Sequence, residues 1–277
     1  MEEPESQGNR TDRRASVQKK KIQGRLSCGQ EMYTRFAEIY DQLTHDIPYN
    51  KWADYLQSAF LKFGRNPGLI LELACGTGSM AVELSKRGYE MIAVDASADM
   101  LNRAYEKAAG NNADILFLNQ DMREFELYGT VDAILCLLDS MNYMTSVGDL
   151  GKVFRLVNNY LNPGGLFIFD VNSPYKLSSV IGDETFYDLG EDIAWIWTNT
   201  YAEEKRTATF DITFFVRKKG GLYERFDETH TERAFSGEEI TNALENAGLK
   251  LLGEFGELSF DAPKLKEERI FYIAQKP

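Results

Sequence analysis

Apolar and polar positions change period three times along this chain. From Glu31 to Phe63 the apolar residues recur at helical spacing: Tyr33, Phe36 and Tyr40 fall at i, i+3 and i+7, and Trp52, Tyr55, Phe60 and Phe63 follow. Pro48 divides this stretch into two predicted helices. Between 69 and 171 short apolar runs alternate with helical patterns. Strands are predicted over 69–73, 90–95, 114–118, 131–138 and 165–171, and helices over 79–87, 97–109 and 148–161. Pro163-Gly164-Gly165 supplies the turn into the last of these strands. Such alternation implies a parallel sheet covered by helices. From 192 the pattern shifts to long runs rich in Thr, Phe, Tyr, Trp and Ile. They predict three antiparallel strands over 192–200, 206–218 and 222–235, joined by turns such as Lys219-Gly220-Gly221. Ser236-Gly-Glu-Glu239 has the form of a capping box and opens a helix to about Ala247, with Gly248 ending it. Strands near 249–256 and 268–275 close the chain. The expected organisation is a disordered tail over 1–28, an α/β body over 29–171 and 236–277, and an antiparallel insertion over 172–235.

Composition narrows the function. A length of 277 residues fits one large α/β domain or one domain with an insertion. The net charge is −12, although the first 25 residues hold seven Lys/Arg against four Asp/Glu. An acidic body argues against nucleic acid as a partner, because that role needs a basic face. A small molecule is the expected partner, acting on a monomer or homodimer. Cys28, Cys75 and Cys136 are odd in number and form no C-x-x-C pair, which fits reduced thiols and a cytoplasmic setting. No apolar run approaches the roughly 18 residues of a membrane span, so no membrane is expected.

The chemistry centres on Leu69-Ile70-Leu71-Glu72-Leu73-Ala74-Cys75-Gly76-Thr77-Gly78, a strand that runs into a small-residue loop and then a helix. Glycines let the backbone pass close under a ligand, and the new helix offers free N–H groups. Gly76-Thr-Gly78-Ser-Met-Ala81 also fits the G-x-G-x-x-A dinucleotide fingerprint, so an NAD-dependent oxidoreductase is an alternative. Glu72 favours a different ligand: a carboxylate there suits an ammonium or ribose hydroxyls and repels a pyrophosphate. S-adenosylmethionine is such a cofactor. Further signals fall at successive strand ends. Asp95, followed by Ala96 and Met100, can accept from ribose hydroxyls. Asp121 can accept from an adenine amino group with Met122 packed on the ring, and Leu137 closes the fourth strand.

Taken together, Glu72-Leu-Ala-Cys-Gly76-Thr-Gly78, Asp95, Asp121-Met122 and Leu161-Asn-Pro-Gly-Gly165 resemble the motifs of class I S-adenosylmethionine-dependent methyltransferases. The resemblance runs from about Tyr33 to the C-terminus. It implies an α/β, Rossmann-like seven-stranded sheet of order 3-2-1-4-5-7-6 with an antiparallel seventh strand, here carrying an inserted antiparallel β-meander. Phe36-Ala-Glu-Ile-Tyr40-Asp41, Asp139-Ser-Met-Asn142-Tyr143 and the insertion before Arg233-Ala-Phe-Ser236 are similar to a small-molecule branch that includes sugar-amine and glycine-type N-methyltransferases. The expected cofactor-binding residues are Tyr33, Tyr40, Glu72, Ala74, Cys75, Gly76, Gly78, Asp95, Ala96, Met100, Asp121, Met122 and Leu137. The expected activity is methyl transfer to N or O of a small acceptor; a cofactor-binding protein without turnover is a further alternative. The catalytic group stays unassigned, with His230, Asp139 or a water sufficient as a weak base, and the meander is expected to roof the acceptor pocket. Asn172-Ser-Pro-Tyr175 follows the fifth strand, whereas the Asn-Pro-Pro-Tyr signature of nucleic-acid amino-methylating enzymes belongs after the fourth. Asp139, Asp170 and Asn172 are similar to the Mg²⁺ ligands of catechol-type O-methyltransferases, but Val171 separates the last two, and no metal is expected.

Overall fold

The computed structural model describes residues 35–277, so the predicted tail, Cys28 and Tyr33 lie outside the described residues. Helix α1 covers 35–43, and α2 (Tyr49–Lys62) starts directly after Pro48. Strands and helices then alternate: β1 (Leu69–Leu73), α3 (Ser79–Lys86), β2 (Glu90–Asp95), α4 (Ala98–Gly110), β3 (Ile115–Asn119), β4 (Val131–Cys136), α5 (Val147–Tyr160) and β5 (Leu161–Asn172). A π-helical turn at Lys176–Ile181 leads into β6 (Thr185–Leu189), β7 (Ile193–Ala202), β8 (Thr207–Arg217) and β9 (Tyr223–Arg233). Helix α6 (Gly237–Asn246), β10 (Lys250–Phe255) and β11 (Arg269–Gln275) complete the fold.

The main sheet has the order β10-β11-β5-β4-β1-β2-β3, with β11 antiparallel to β5. This is the expected 3-2-1-4-5-7-6 arrangement, with β10 and β11 as the sixth and seventh strands. Strands buried on both faces feed two cores. On one face Ile70, Met91 and Leu135 meet Trp52, Leu56 and Phe60 of α2 and Leu101 of α4. On the other, Leu71, Val94 and Ile134 meet Phe154 of α5 and Leu244 of α6. Strand order reverses between β1 and β4, and that reversal opens a crevice at their carboxyl ends. Helix α6 begins with the predicted capping box: the Glu239 amide donates to Ser236 Oγ (3.2 Å), and the Ser236 amide donates to Glu239 Oε2 (3.0 Å).

Three details differ from the sequence pattern. The insertion has four strands, because β6 pairs with the outer edge of β7. All five β6 residues are exposed, so this strand has no buried face to impose an apolar alternation. Strand β4 stops at Cys136, because Leu138 and Asp139 both adopt left-handed backbone angles (φ +55° and +56°). Strand β5 already begins at Leu161. Its Pro163-Gly164-Gly165 segment forms a bulge, across which the register with β4 jumps from Val131↔Leu161 to Ala133↔Leu166. Among the described residues no helix is long and apolar enough to cross a membrane.

The second sheet presents one face to the body of the protein. Phe36 and Ile39 of α1 pack against Phe214 and Phe226 at one end of that face. Leu177 and Ile181 of the π-turn pack against Ala208 and Phe210 at the other.

Candidate functional site

The loop after β1 is built on backbone angles that few sequences tolerate. Ala74, Gly76 and Gly78 have φ of +53°, +55° and +71°. At Gly78 an added Cβ would stand 3.0 Å from the Ala104 Cβ and 3.3 Å from Phe117, so glycine also lets α3 sit close to α4 and β3. At Gly76 an added Cβ would meet nothing within 4 Å, which leaves that side of the loop open to a ligand. Asp95 fixes the loop from β2. Its Oδ2 accepts from the Gly76 amide (2.8 Å) and its Oδ1 from the Ser97 amide (2.8 Å). Each oxygen keeps a lone pair for another donor. Burial raises the Asp95 pKa above the ordinary carboxylate value, while the two amides oppose that rise.

Glu72 is the most telling group. It is the penultimate residue of β1, is only 4 % exposed, and its Oε2 has no hydrogen-bond partner among the described residues. Burial, reinforced by the Asp95 charge, pushes its pKa to about 8, and the Ala81 amide and Lys107 pull the other way. A buried carboxyl left unpartnered costs free energy unless a ligand completes it. An ammonium is the complement that the geometry lacks.

Helix α1 covers this cleft. Tyr40, Tyr49, Glu72, Ala74, Cys75, Gly76, Thr77, Leu137 and Ser140 line it, with only about 40 Å³ between them. The cover is tied down by Asp41, whose Oδ1 accepts from Thr77 Oγ1 (2.6 Å) and Lys107 Nζ (2.7 Å). Lys107 Nζ also donates to Thr77 Oγ1 (2.8 Å) and Ser79 Oγ (2.5 Å). This cluster joins the cover to the glycine loop through three separate segments. Sequence reasoning missed it, since Lys107 reads there as one more polar residue on an amphipathic helix.

The expected site residues therefore fall into groups. Tyr40, Glu72, Ala74, Cys75, Gly76 and Leu137 share the covered cleft. Gly78, Asp95 and Met100 support the loop from below, where the Met100 amide caps on Ser97 Oγ (3.3 Å). Ala96 and Asp121 line a neighbouring polar hollow of about 560 Å³ with Asn119, Gln120, Glu124 and Glu126. Asp95 precedes Ala96 of this hollow, and its carbonyl accepts from Asn119 Nδ2 (2.9 Å) and the Gln120 amide (3.1 Å). Asp121 is already engaged: its Oδ1 accepts from the Arg123 amide (2.8 Å) and Arg123 Nε (2.9 Å), and this pairing lowers its pKa. Met122 packs against the second core. Cys75 is buried with its thiol pKa raised by burial, so it is no reactive nucleophile.

At the end of β4, two consecutive left-handed residues form a turn that Asp170 holds. The amides of Leu138 (2.7 Å) and Asp139 (2.9 Å) donate to the two oxygens of its fully buried carboxylate. Arg269 from β11 then binds Asp170 and Asp139 together, with 2.7 Å to Asp139 Oδ1. A single guanidinium thus occupies both carboxylates that resembled metal ligands, and among the described residues no His/Cys/Asp/Glu group of metal-holding geometry occurs. Asn142 is saturated: its Nδ2 donates to the Asn172 (3.1 Å) and Arg233 (2.9 Å) carbonyls and its Oδ1 accepts from the Asn172 amide (2.8 Å). It is a brace between the two sheets.

The inner face of the second sheet lies beyond this turn. His230 Nδ1 is 3.2 Å from Tyr143 Oη, and its ring packs 5.5 Å from Phe36. Its Nε2 is buried with no partner among the described residues, and burial lowers the pKa of the ring. Glu232, one step along the same face, accepts from Asn172 Nδ2 (2.8 Å), and burial beside the Asp139 charge holds its pKa well above the usual range.

Comparison with known proteins agrees with this geometry. Residues 70–165 match the family described as "Methyltransferase domain". The chain is 37 % identical over 246 residues to YqeM of Bacillus subtilis (strain 168), provisionally named a methyltransferase, across 88 % of this chain and 97 % of that protein. A crystal structure of an S-adenosylmethionine-dependent methyltransferase from Clostridium acetobutylicum ATCC 824 superposes with a TM-score of 0.81 at 35 % identity, covering 88 % of this chain and 98 % of that one. At 24 % identity over 230 residues, 78 % of this chain and 90 % of the other, it is similar to the dTDP-3-amino-3,4,6-trideoxy-alpha-D-glucopyranose N,N-dimethyltransferase of Streptomyces venezuelae. The chain belongs to the class I S-adenosylmethionine-dependent methyltransferases.

Proposed function

We propose that this enzyme transfers the methyl group of S-adenosylmethionine to a nitrogen or oxygen of a small molecule held between the β4 turn and the inner face of the second sheet. The observation that carries the reading is His230: a half-buried imidazole, its pKa lowered by burial, whose buried Nε2 has no partner among the described residues, facing the same end of the molecule as Tyr40, Tyr143 and the β4 turn. The bound sulfonium supplies an activated methyl group and a good leaving group.

The residues of the chain have the remaining tasks. Glu72 accepts from the cofactor ammonium and Asp95 from its ribose hydroxyls, while Gly76 leaves room for the chain between them. Tyr40, raised in pKa by burial and by Tyr49 and three nearby acids, keeps its proton and offers an aromatic face to a cation. Helix α1 excludes water, and desolvation with alignment accounts for most of the acceleration expected of such a displacement. An amine or hydroxyl acceptor must lose a proton. In the tautomer whose Nδ1–H donates to Tyr143 Oη, His230 Nε2 presents a lone pair to take it. The sugar N-methyltransferase similarity supports nitrogen over oxygen.

The test is turnover, read as S-adenosylhomocysteine formed with a panel of small amines and alcohols, for wild type and His230→Ala. The reading expects the variant to bind S-adenosylhomocysteine as wild type does and to lose about 10²-fold or more in kcat. Full turnover by His230→Ala would remove the imidazole from the reaction.

A further inference from the structure

Four polar atoms that are buried and without a hydrogen-bond partner among the described residues share the inner face of the second sheet: Trp197 Nε1, Asn199 Oδ1, Glu228 Oε1 and His230 Nε2. Their common face follows from the register. Trp197, Ile212 and Glu228 are mutual neighbours across β7, β8 and β9, and Asn199, Phe210 and His230 form the next row. The face is the inner one, because His230 reaches Tyr143 and Phe36 from it. Natural interiors leave few such groups unsatisfied, so a cluster of them on one face needs an explanation.

Glu228 is the extreme case. It is 2 % exposed, and among the described residues Oε1 has neither a hydrogen bond nor an ion pair. On the same strand Glu224 pairs with Lys218 and Arg35, and Asp227 with Arg225. Burial raises the Glu228 pKa to about 7. The surroundings are apolar and aromatic, with Ile212 and Trp197 in its own row and Phe226 and Phe214 in the next. Helix α1 covers the Phe214–Phe226 end of the face and the π-turn covers the Ala208–Phe210 end. Phe36 of α1 touches both Phe214 and His230, so α1 also crosses the Glu228 row that lies between them.

Resting on the proposed position of the acceptor, we infer that Glu228 selects it by binding a cationic donor on the end remote from the atom that receives the methyl group. His230 and Glu228 are two residues apart on one face of β9, about 7 Å along the strand. The reacting nitrogen faces His230 and the second donor faces Glu228, so the acceptor class is a small diamine, or an amine bearing a second protonated or N–H-rich group at that spacing. The aromatic lining suits such a cation. Trp197 N–H, in the same row, can donate to an oxygen on the same end. In the transfer the amine gives one proton to His230 and its lone pair forms the new N–C bond. The S–C bond breaks with its electron pair passing to sulfur. The product leaves as the methylated amine, and the proton passes from His230 to solvent.

The probes are 1,4-diaminobutane and n-butylamine, which share a reacting amine and differ in the second. Binding is measured by thermal shift and calorimetry on the complex with S-adenosylhomocysteine, for wild type, Glu228→Gln and Glu228→Leu. Wild type is expected to bind the diamine about tenfold or more tightly than the monoamine, and Glu228→Leu to lose that preference. Glu228→Gln keeps the shape and loses most of the preference, so a folding defect in the leucine variant does not decide the matter. Equal affinity for the two probes in wild type, no response to either, or a diamine preference retained in both variants would overturn the inference. None of these readouts requires turnover, and the S-adenosylhomocysteine shift itself is independent of Glu228. Failure here is therefore distinct from failure of the proposed reaction.

Discussion

Replacing Glu72 by Gln separates a carboxylate that serves the cofactor from one that serves the fold. Folded Glu72 holds its proton to about pH 8, against an ordinary value of 4.5 in the unfolded chain. Between those values the folded protein binds more protons than the unfolded one, so stability falls as pH rises through the interval. At 1.36 kcal/mol per unit, holding Glu72 in its raised-pKa site while the unfolded chain ionises costs the free protein about 3 kcal/mol of stability at pH 7, levelling off at about 5 kcal/mol above pH 8. The penalty is absent below about pH 4.5. Glu72→Gln removes it, so the variant without ligand should melt higher than wild type at pH 8 and show little difference at pH 5. Binding should move the other way. A ligand ammonium on Glu72 favours the ionised form, so at pH 7 binding expels about 0.9 of a proton from a group of pKa near 8. Calorimetry with S-adenosylhomocysteine in two buffers of different ionisation enthalpy reads this directly. The variant should release almost no proton from this position and bind about 10- to 100-fold more weakly, the worth of a charge-assisted hydrogen bond in a buried site. Identical heats in both buffers, together with undiminished affinity in Glu72→Gln, would refute the argument that Glu72 receives the ammonium.

Other outcomes follow from the same geometry. Asp95→Ala should weaken S-adenosylhomocysteine binding by about tenfold or more, since it removes a ribose acceptor and frees the Gly76 amide it holds; unchanged calorimetric affinity with unchanged circular dichroism would exclude Asp95 as the ribose residue. Lys107→Ala should leave the melting temperature nearly intact while raising amide exchange in α1 and speeding ligand release, because it cuts the tie between Asp41, Thr77 and Ser79; exchange in α1 equal to wild type would show that the cluster is no latch. Arg269→Met should lower unfolding free energy by about 3 kcal/mol or more in urea titration, because it leaves the buried Asp170 carboxylate without its cation; a loss within 1 kcal/mol of zero, on the order of an exposed pair, would contradict that role.

Much of this molecule is legible in its sequence, and the illegible parts have physical reasons. The parallel sheet and its order follow from period changes and family motifs, because strands buried on both faces must be apolar throughout. The α6 capping box was readable since its two hydrogen bonds are local. Strand β6 was not, because an exposed edge leaves no apolar alternation. The β4 end was misread as strand to Leu138, since nothing in Leu-Leu-Asp announces two left-handed residues. Their support comes from Asp170, 31 and 32 residues away. The same limit hid Lys107, Arg269 and Glu228, whose meaning depends on partners, or on the lack of partners, that only tertiary packing reveals. Glu72 and Asp95 lie at the ends of their strands and Gly76 and Gly78 in the loop between, as the sequence pattern places them; their contacts to the cofactor remain a proposal. Asp121 lines the polar hollow, and its engagement by Arg123 two residues on has no signal in the sequence pattern.

The most direct test of the account is a crystal structure of the complex with S-adenosylhomocysteine. The account predicts the ligand ammonium within about 3 Å of Glu72 Oε2, the ribose hydroxyls on Asp95, and the sulfur under Tyr40 and aimed at the space beside His230. A ligand bound with its ammonium away from Glu72, or with its sulfur turned away from the inner face of the second sheet, would contradict it.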